Sequence, residues 1–334
     1  MENNEYVKLT SIEIGALWSA YFSETITKCM FLHFLENNVE DSDIESLLEH
    51  GLNICNKRIP KIKELLSKEN FPIPIGFTDE DVNLKAPRLF SDTFYLYYIW
   101  FMSSVELQVH SLSLSLCSRS DVNDYYREVL NGSADTDTKA RELALQKGLF
   151  IRAPHIPIPK KVDFVKKKSF LTGWFGERRP LNALEITHLY KNAMTNTIGI
   201  TLMTGFSQVA KSKELRQLFI RGKEIAAKHS NVFAAVLKEE GLSSFESSEI
   251  YATDSTTPPF SDKLMLFHTT ALNALGIGNY GVAVSASSRR DIGTHYTRLM
   301  GEIALFTEDA ANLMIENGWM EQPPQAADRD QLVK

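Results

Sequence analysis

The amino-acid sequence predicts an all-α protein made of two tandem four-helix bundles. Three observations lead to this fold class. Apolar residues recur at helical spacing, the order of elements repeats after 170–172 residues, and each repeat has an 18-residue polar connector between its second and third helices. We expect the first bundle at residues 1–154, a basic and aromatic linker at 155–180, the second bundle at 181–324 and a tail at 325–334.

The first repeat contains four predicted helices. Apolar periodicity and turn residues place them at about 9–37, 43–69, 89–118 and 121–148. Thr10 and Glu13 have the spacing of a capping box, in which a hydroxyl and a carboxylate satisfy free backbone N–H groups at a helix start. Asp121 is the predicted N-cap of the fourth helix, and Gly148 closes that helix.

The second repeat begins at Leu181, where the segment Leu-Asn-Ala-Leu-Glu-Ile matches Leu-Thr-Ser-Ile-Glu-Ile at residue 9. The correspondence assigns Asn182 and Glu185 to a capping box and Asp291 to an N-cap, as for Thr10, Glu13 and Asp121. Later segments keep the register, for example 118–121 with 288–291. The sequence therefore predicts two copies of one bundle.

The long connectors favour one topology of bundle over another. Residues 71–88 and 242–259 are each 18 residues long, whereas a hairpin between neighbouring helices needs only about 2–8. A chain of that length can run from one end of a bundle to the other. We therefore expect a crossover between helices two and three, as in ferritin-like folds. A flexible surface loop is the alternative.

The third helices of the two repeats differ in side-chain size. In the first repeat this helix is rich in aromatic residues, whereas in the second it carries Gly276, Gly278 and Gly281. Because glycine is unfavourable in a helix, the glycines suggest very close helix approach, with the two third helices facing each other across the interface. The alternative is that each third helix fits only its own core.

Composition limits the classes of function. The net charge is −6, and the linker holds seven basic and two acidic residues. Neither bundle has the basic field typical of nucleic-acid binding, so we expect no nucleic-acid partner. The three cysteines have no paired spacing, and the longest apolar run has nine residues, too short to span a membrane. We expect a cytoplasmic protein without a transmembrane segment.

Several segments resemble an uncharacterised family of spore-forming bacteria. They are the central run 169–180, the Gly-Phe-Ser-Gln-Val-Ala segment at 205–210, the Pro-Phe-Ser-Asp-Lys-Leu-Met segment at 259–265 and the Asn-Gly-Trp-Met-Glu-Gln-Pro-Pro segment at 317–324. Members of that family carry tandem ferritin-like bundles related to spore-coat F proteins and are called a domain of unknown function. The resemblance covers nearly the whole chain, and it implies a fold and an association with spores but no reaction.

A ferritin-like bundle raises the hypothesis of a two-metal carboxylate site. Such a site needs a Glu from two helices and a Glu-x-x-His from each of the other two. The only correct spacing in the second repeat joins Glu185 to His188, and His295 is the third candidate ligand for iron or manganese. Because Glu185 also fits a capping box, we favour capping and expect no metal, cofactor or catalytic residue.

The linker mixes lysines with aromatic residues and has two interpretations. In the first, the aromatic residues fill the junction between the bundles, so that Trp174, Phe175, Gly176, Arg178 and Arg179 form a structural junction. The two arginines would then hold carboxylates at the start of the fifth helix. In the second, the linker docks an acidic partner or an anionic lipid surface.

Two hypotheses of function follow. The leading one is a non-enzymatic structural or interaction protein, with a protein partner or self-association. The alternative is a ferritin-like protein that binds a metal or a small ligand in the second bundle, as an oxidase or a sequestration protein. Inward-facing carboxylates and histidines in that core would favour the alternative.

Overall fold

A computed structural model of the protein describes residues 7–36, 39–174 and 178–333. The described residues form eight α-helices and no β-strand beyond isolated bridges. The helices are α1 (Ser11–Leu35), α2 (Ser42–Ser67), α3 (Asp92–Leu116), α4 (Ser120–Gln146), α5 (Ala183–Val209), α6 (Lys213–Glu239), α7 (Asp262–Ala286) and α8 (Arg290–Glu316). The prediction of two tandem four-helix bundles is confirmed.

Each bundle contains two helical hairpins, α1 with α2 and α3 with α4, then α5 with α6 and α7 with α8. The connection between α2 and α3 runs the length of the first bundle. Just after α2 ends, Glu69 accepts a 2.7 Å hydrogen bond from Arg119 at the start of α4. At the other end, Asp92 in the first turn of α3 accepts a 2.8 Å bond from the N–H of Asp41 at the start of α2. Helices α2 and α3 therefore begin at the same end and run parallel, as a crossover requires.

The crossovers of the two bundles pair with each other. Val82 and Phe90 form antiparallel bridges with Phe260 and Ala252. Four backbone hydrogen bonds of 2.7–3.1 Å join the connectors: Asn83 N to Pro259 O, Ser261 N to Asp81 O, Ser91 N to Tyr251 O and Thr253 N to Leu89 O. Adding 170 to 83 and subtracting 170 from 259 converts the bond between Asn83 and Pro259 into the bond between Thr253 and Leu89. The contact therefore follows the symmetry of the repeat.

One hydrophobic core extends through both bundles. Helix α3 buries six consecutive residues, 94–99, as expected of a helix enclosed on all sides. Across the interface, the rings of Phe22 and Phe267 stack at 4.8 Å, and Tyr98 Oη lies 3.0 Å from His268 Nε2. Burial of these aromatic rings makes the two bundles one packed body.

The glycines of α7 do not mark close helix packing. A Cβ atom added to Gly278 or Gly281 would meet no atom within 4 Å, and one added to Gly276 would touch only Ile303. The third helices α3 and α7 meet instead through Tyr98 and His268. The close-approach interpretation was wrong, because Gly278 and Gly281 face solvent and Gly276 has only Ile303 near its Cβ position.

Candidate functional site

The three candidate metal ligands do not form a metal site. Glu185 is fully buried, and its carboxylate accepts hydrogen bonds from Arg179 and from the backbone of Asn182 and Arg289. His188 and His295 are only half-buried. Within the described part of the chain, no group of three or more His, Cys, Asp or Glu side chains could hold a metal ion. The structure therefore does not bring Glu185, His188 and His295 together as ligands.

The two capping-box carboxylates also tie together the ends of separate helices. Thr10 and Glu13 exchange the hydrogen bonds of a capping box, as do Asn182 and Glu185. Glu13 additionally accepts bonds from the N–H groups of Ser118 and Arg119, at 3.0 and 2.9 Å. Burial alone would raise the pKa of Glu13, but these hydrogen bonds outweigh it and lower the pKa to about 2. The carboxylate therefore joins the start of α1 to the start of α4.

Asp121 and Asp291 lie inside their helices and are not the N-caps. The N-caps are Arg119 and Arg289, and neither makes a side-chain capping bond. Each guanidinium instead turns back to the aspartate two residues ahead, with Arg289 contacting Asp291 at 2.7 Å and Arg119 contacting Asp121 at 2.7 Å. The N-cap prediction was wrong because each helix begins one residue before the aspartate, and the aspartate carboxylate pairs with the guanidinium of the N-cap arginine.

The junction stretch closes one end of the second bundle. Arg179 donates two hydrogen bonds to Glu185, at 2.7 and 2.8 Å, and its guanidinium stacks on the ring of Phe170. Arg178 lies 3.1 Å from Glu239 and 3.6 Å from Asp291. A Cβ atom on Gly173 would lie 2.4 Å from the backbone nitrogen of Asp291, so only glycine fits there.

The aromatic residues of the linker do not fill the space between the bundles. The side chain of Trp174 is 56% exposed and that of Phe164 is 81% exposed. The predicted junction residues Phe175 and Gly176 lie outside the described residues. The paired crossovers and the aromatic rings that stack between the bundles form the junction instead.

The core of the first bundle contains a buried ionic cluster. Arg58 of α2 donates 2.9 Å hydrogen bonds to Glu24 of α1 and Glu106 of α3. It also contacts Ser133 of α4 at 3.2 Å, and Ser133 donates a 2.6 Å bond to Glu106. All four helices thus contribute to one cluster, and its cation is a guanidinium.

The charges of this cluster are fixed by burial and by Arg58. Burial raises the pKa of Glu24 despite the adjacent guanidinium. Burial also acts to raise the pKa of Glu106, but Arg58, His110 and Ser133 together lower it. Burial lowers the pKa of His110 to about 4. Burial thus favours the neutral form of Glu24, whereas Arg58 favours the charged form of Glu106, so the ion pair of the cluster is that of Arg58 with Glu106.

The same positions in the second bundle carry smaller and uncharged groups. Adding 170–172 residues converts Glu24, Arg58 and Glu106 into Asn196, His229 and Gly276. His110 becomes Tyr280, whose hydroxyl accepts a 2.8 Å bond from Asn196 and lies 3.1 Å from His229 Nδ1. Burial lowers the pKa of His229, although Glu302 contacts its Nε2 at 3.3 Å. The second core is therefore a neutral hydrogen-bonded network.

A two-metal carboxylate centre does not fit either set of residues. In the first bundle the guanidinium of Arg58 lies between the two carboxylates, where a cation would have to bind. In the second bundle the matching residues are Asn196, His229 and Gly276, which supply an amide, an imidazole and no side chain. A two-metal site needs several carboxylate oxygens, so these residues do not fit one.

Sequence reasoning missed both core networks. Glu106 and His110 lie four residues apart, which does not match the Glu-x-x-His spacing of a metal site, so their pattern predicts no ligand pair. The available signal was a glutamate within each of two apolar helical stretches, Glu24 and Glu106, whereas Arg58 lies among Lys57, Lys61 and Lys63 and does not stand out. Buried charges are rare unless paired, so the two glutamates predict a buried cationic partner.

No helix in residues 7–36, 39–174 and 178–333 is long and apolar enough to cross a membrane.

Comparisons with known proteins place the chain in a family without a known role. No protein of curated function matches the chain. A solved structure of a putative spore coat protein from Bacillus halodurans C-125 has 16% identity and a TM-score of 0.42, covering 45% of this chain and 98% of that one. A family model matches residues 2–162 and again 169–332, so the chain belongs to the family described as protein of unknown function (DUF3231).

Proposed function

We propose that the protein is a non-enzymatic structural and interaction protein. One observation carries the proposal: the central polar position of the first bundle is filled by Arg58, held between Glu24 and Glu106. A guanidinium stays protonated at any physiological pH and cannot exchange for a substrate or a metal ion. The cluster therefore fixes the packing of four helices rather than supplying a reactive group. The sequence resemblance extends this proposal to a cytoplasmic or spore-associated protein.

Metal analysis tests the non-enzymatic part of the proposal. Protein purified without chelators or affinity metals should contain iron and manganese well below one equivalent. It should also oxidise added Fe(II) no faster than buffer, because the cluster already contains its own cation. The measurements are elemental analysis and oxygen uptake, with Glu106→Gln as the comparison. About one or two equivalents of metal, or an oxidation rate that Glu106→Gln removes, would overturn the proposal.

The linker is the proposed interaction segment. Ile158, Val162 and Phe164 are 92%, 88% and 81% exposed, which is unusual for apolar side chains on a protein surface. Seven basic and two acidic residues lie between 155 and 180, whereas residues 1–154 carry 15 basic and 23 acidic residues. Opposite charges favour docking of the linker on the first bundle of a second copy.

Self-association through the linker should depend on salt. At about 0.01 M salt the Debye length is about 30 Å, so sedimentation should show a concentration-dependent dimer that dissociates near 1 M salt. Changing Lys160, Lys161 and Lys167 to Glu should abolish the dimer. The same charge change at the exposed α6-region residues Lys211, Lys213 and Lys223 should weaken it far less. A monomer under all conditions, or equal effects of the two triple variants, would contradict this role, and binding only to anionic vesicles would replace it with a lipid-docking role.

A further inference from the structure

The second bundle contains a cavity at the position of the first bundle's ionic cluster. Its volume is ≈ 90 Å³, against ≈ 20 Å³ for the matching space in the first bundle. The two spaces have equivalent walls: Gly222 replaces Gly51, Ala226 replaces Cys55 and Gly276 replaces Glu106. The cavity is open because Gly276 replaces Glu106 and the shorter His229 replaces Arg58.

One atom in each of two side-chain amides at the cavity has no hydrogen-bond partner among the described residues. These two atoms are Oδ1 of Asn192 and Nδ2 of Asn273, and both residues line the cavity. Asn192 is only 1% exposed. Buried polar groups are nearly always hydrogen-bonded, so an unpaired acceptor and an unpaired donor on one cavity indicate a molecule that supplies both partners.

The rest of the lining selects for a neutral and partly apolar molecule. Among the described residues, no Asp, Glu, Lys or Arg side chain lines the cavity. Burial lowers the pKa of His229 and raises that of Tyr280, so both side chains are neutral near pH 7. Ile198, Ile303 and Phe306 supply an apolar wall, and Phe101 of the first bundle closes one side.

We propose that this cavity binds a small neutral molecule with a short apolar body and one primary amide or hydroxyl group. A primary amide or hydroxyl group supplies both a donor for Asn192 Oδ1 and an acceptor for Asn273 Nδ2, so it can pair with either atom. An apolar protein cavity of about 150 Å³ holds benzene, so a cavity of ≈ 90 Å³ limits the ligand to about three to five heavy atoms. This inference is independent of the structural role of the first bundle.

Titration with propionamide and with 1-propanol tests the proposal on the full-length protein. NMR signals of the residues that line the cavity should shift and saturate, with a Kd of the order of 1 mM, since so few ligand atoms limit the affinity. Gly276→Leu places a side chain in the cavity and should weaken binding at least tenfold. Gly278→Leu, two residues further along α7 and outside the cavity, should leave the Kd within about twofold of the original value.

Three outcomes would overturn the proposal. They are the absence of saturation by either probe, equal binding by the Gly276→Leu and Gly278→Leu variants, and shifts confined to residues outside the cavity. If Gly276→Leu does not fold, Ala226→Leu fills the same space from α6 and serves as the blocking variant. Binding of the amide alone or of the alcohol alone would support the site and identify its ligand class.

Discussion

Arg58→Met should destabilise the protein by about 3–5 kcal/mol, one of the two largest effects that we expect of a single substitution. Arg58 is the only guanidinium in contact with both Glu24 and Glu106 among the described residues, and Glu24 is 2% exposed. Methionine fills a similar apolar volume but carries no charge. The buried Glu106 carboxylate would then lose its counter-charge and Glu24 would lose its hydrogen-bond donor, which is costly in a low-dielectric interior. Chemical denaturation followed by circular dichroism measures the free energy of unfolding.

A surface arginine provides the control. Arg141 pairs with Asp137 on α4, and its side chain is 43% exposed. Arg141→Met should change the free energy of unfolding by less than about 1 kcal/mol, because exposed ion pairs contribute little. Replacing the whole cluster, with Glu24→Leu, Arg58→Met and Glu106→Leu together, should recover most of the lost stability. If Arg58→Met proved as mild as Arg141→Met, Arg58 would not compensate the carboxylates.

The helices and their arrangement could be predicted because their signals are local or repeated. Apolar periodicity marks each helix. Because the helices recur after 170–172 residues, the pattern in one repeat supports the pattern in the other. The length of the connectors decides between a hairpin and a crossover. Each of these signals survives without knowledge of which side chains meet in space.

The core networks depend on contacts between distant residues. Arg58 meets Glu24 and Glu106 across 34 and 48 residues of sequence. Periodicity places Glu24 on a helix next to buried Phe22 and Ile26, but it cannot name the cation that faces it. Aligning the two repeats at these positions would have shown the replacement of Glu24 and Glu106 by Asn196 and Gly276, which marks where the second core opens.

Arg179 holds Glu185 at the start of α5 as predicted, but the prediction that the aromatic residues of the linker fill the junction was wrong for a different reason. These aromatic residues have the composition of a buried segment, and burial of aromatic rings is normally favourable. The expectation assumed that the junction needed them. The crossovers pair through residues 81–91 and 251–261 instead, and stacked rings such as Phe22 and Phe267 complete the interface. Composition alone cannot show that a space is already filled.

Arg289→Met should also reduce the free energy of unfolding by about 3–5 kcal/mol. Arg289 is 1% exposed and makes two hydrogen bonds to Asp291, at 2.7 and 3.1 Å. It also contacts Glu240 at 2.9 Å and the carbonyl oxygen of Arg179 at 3.2 Å. Removing it leaves the carboxylate of Asp291, 4% exposed, without its nearest counter-charge, since Arg178 lies farther away at 3.6 Å. Denaturation of the variant, compared with the unmodified protein, measures the loss.

The repeat offers two internal comparisons for this prediction. Arg119→Met removes the equivalent arginine, but its partners Asp121 and Glu69 are 35% and 21% exposed and regain hydration, so the loss should be smaller. Arg290→Met changes the exposed neighbour of Arg289 and should have an effect within about 0.5 kcal/mol. Adding Asp291→Asn to Arg289→Met should recover part of the stability, because the unpaired charge is then gone. Equal losses of stability for Arg289→Met and Arg119→Met would contradict the prediction. They would mean that burial of the partner carboxylate does not set the size of the effect.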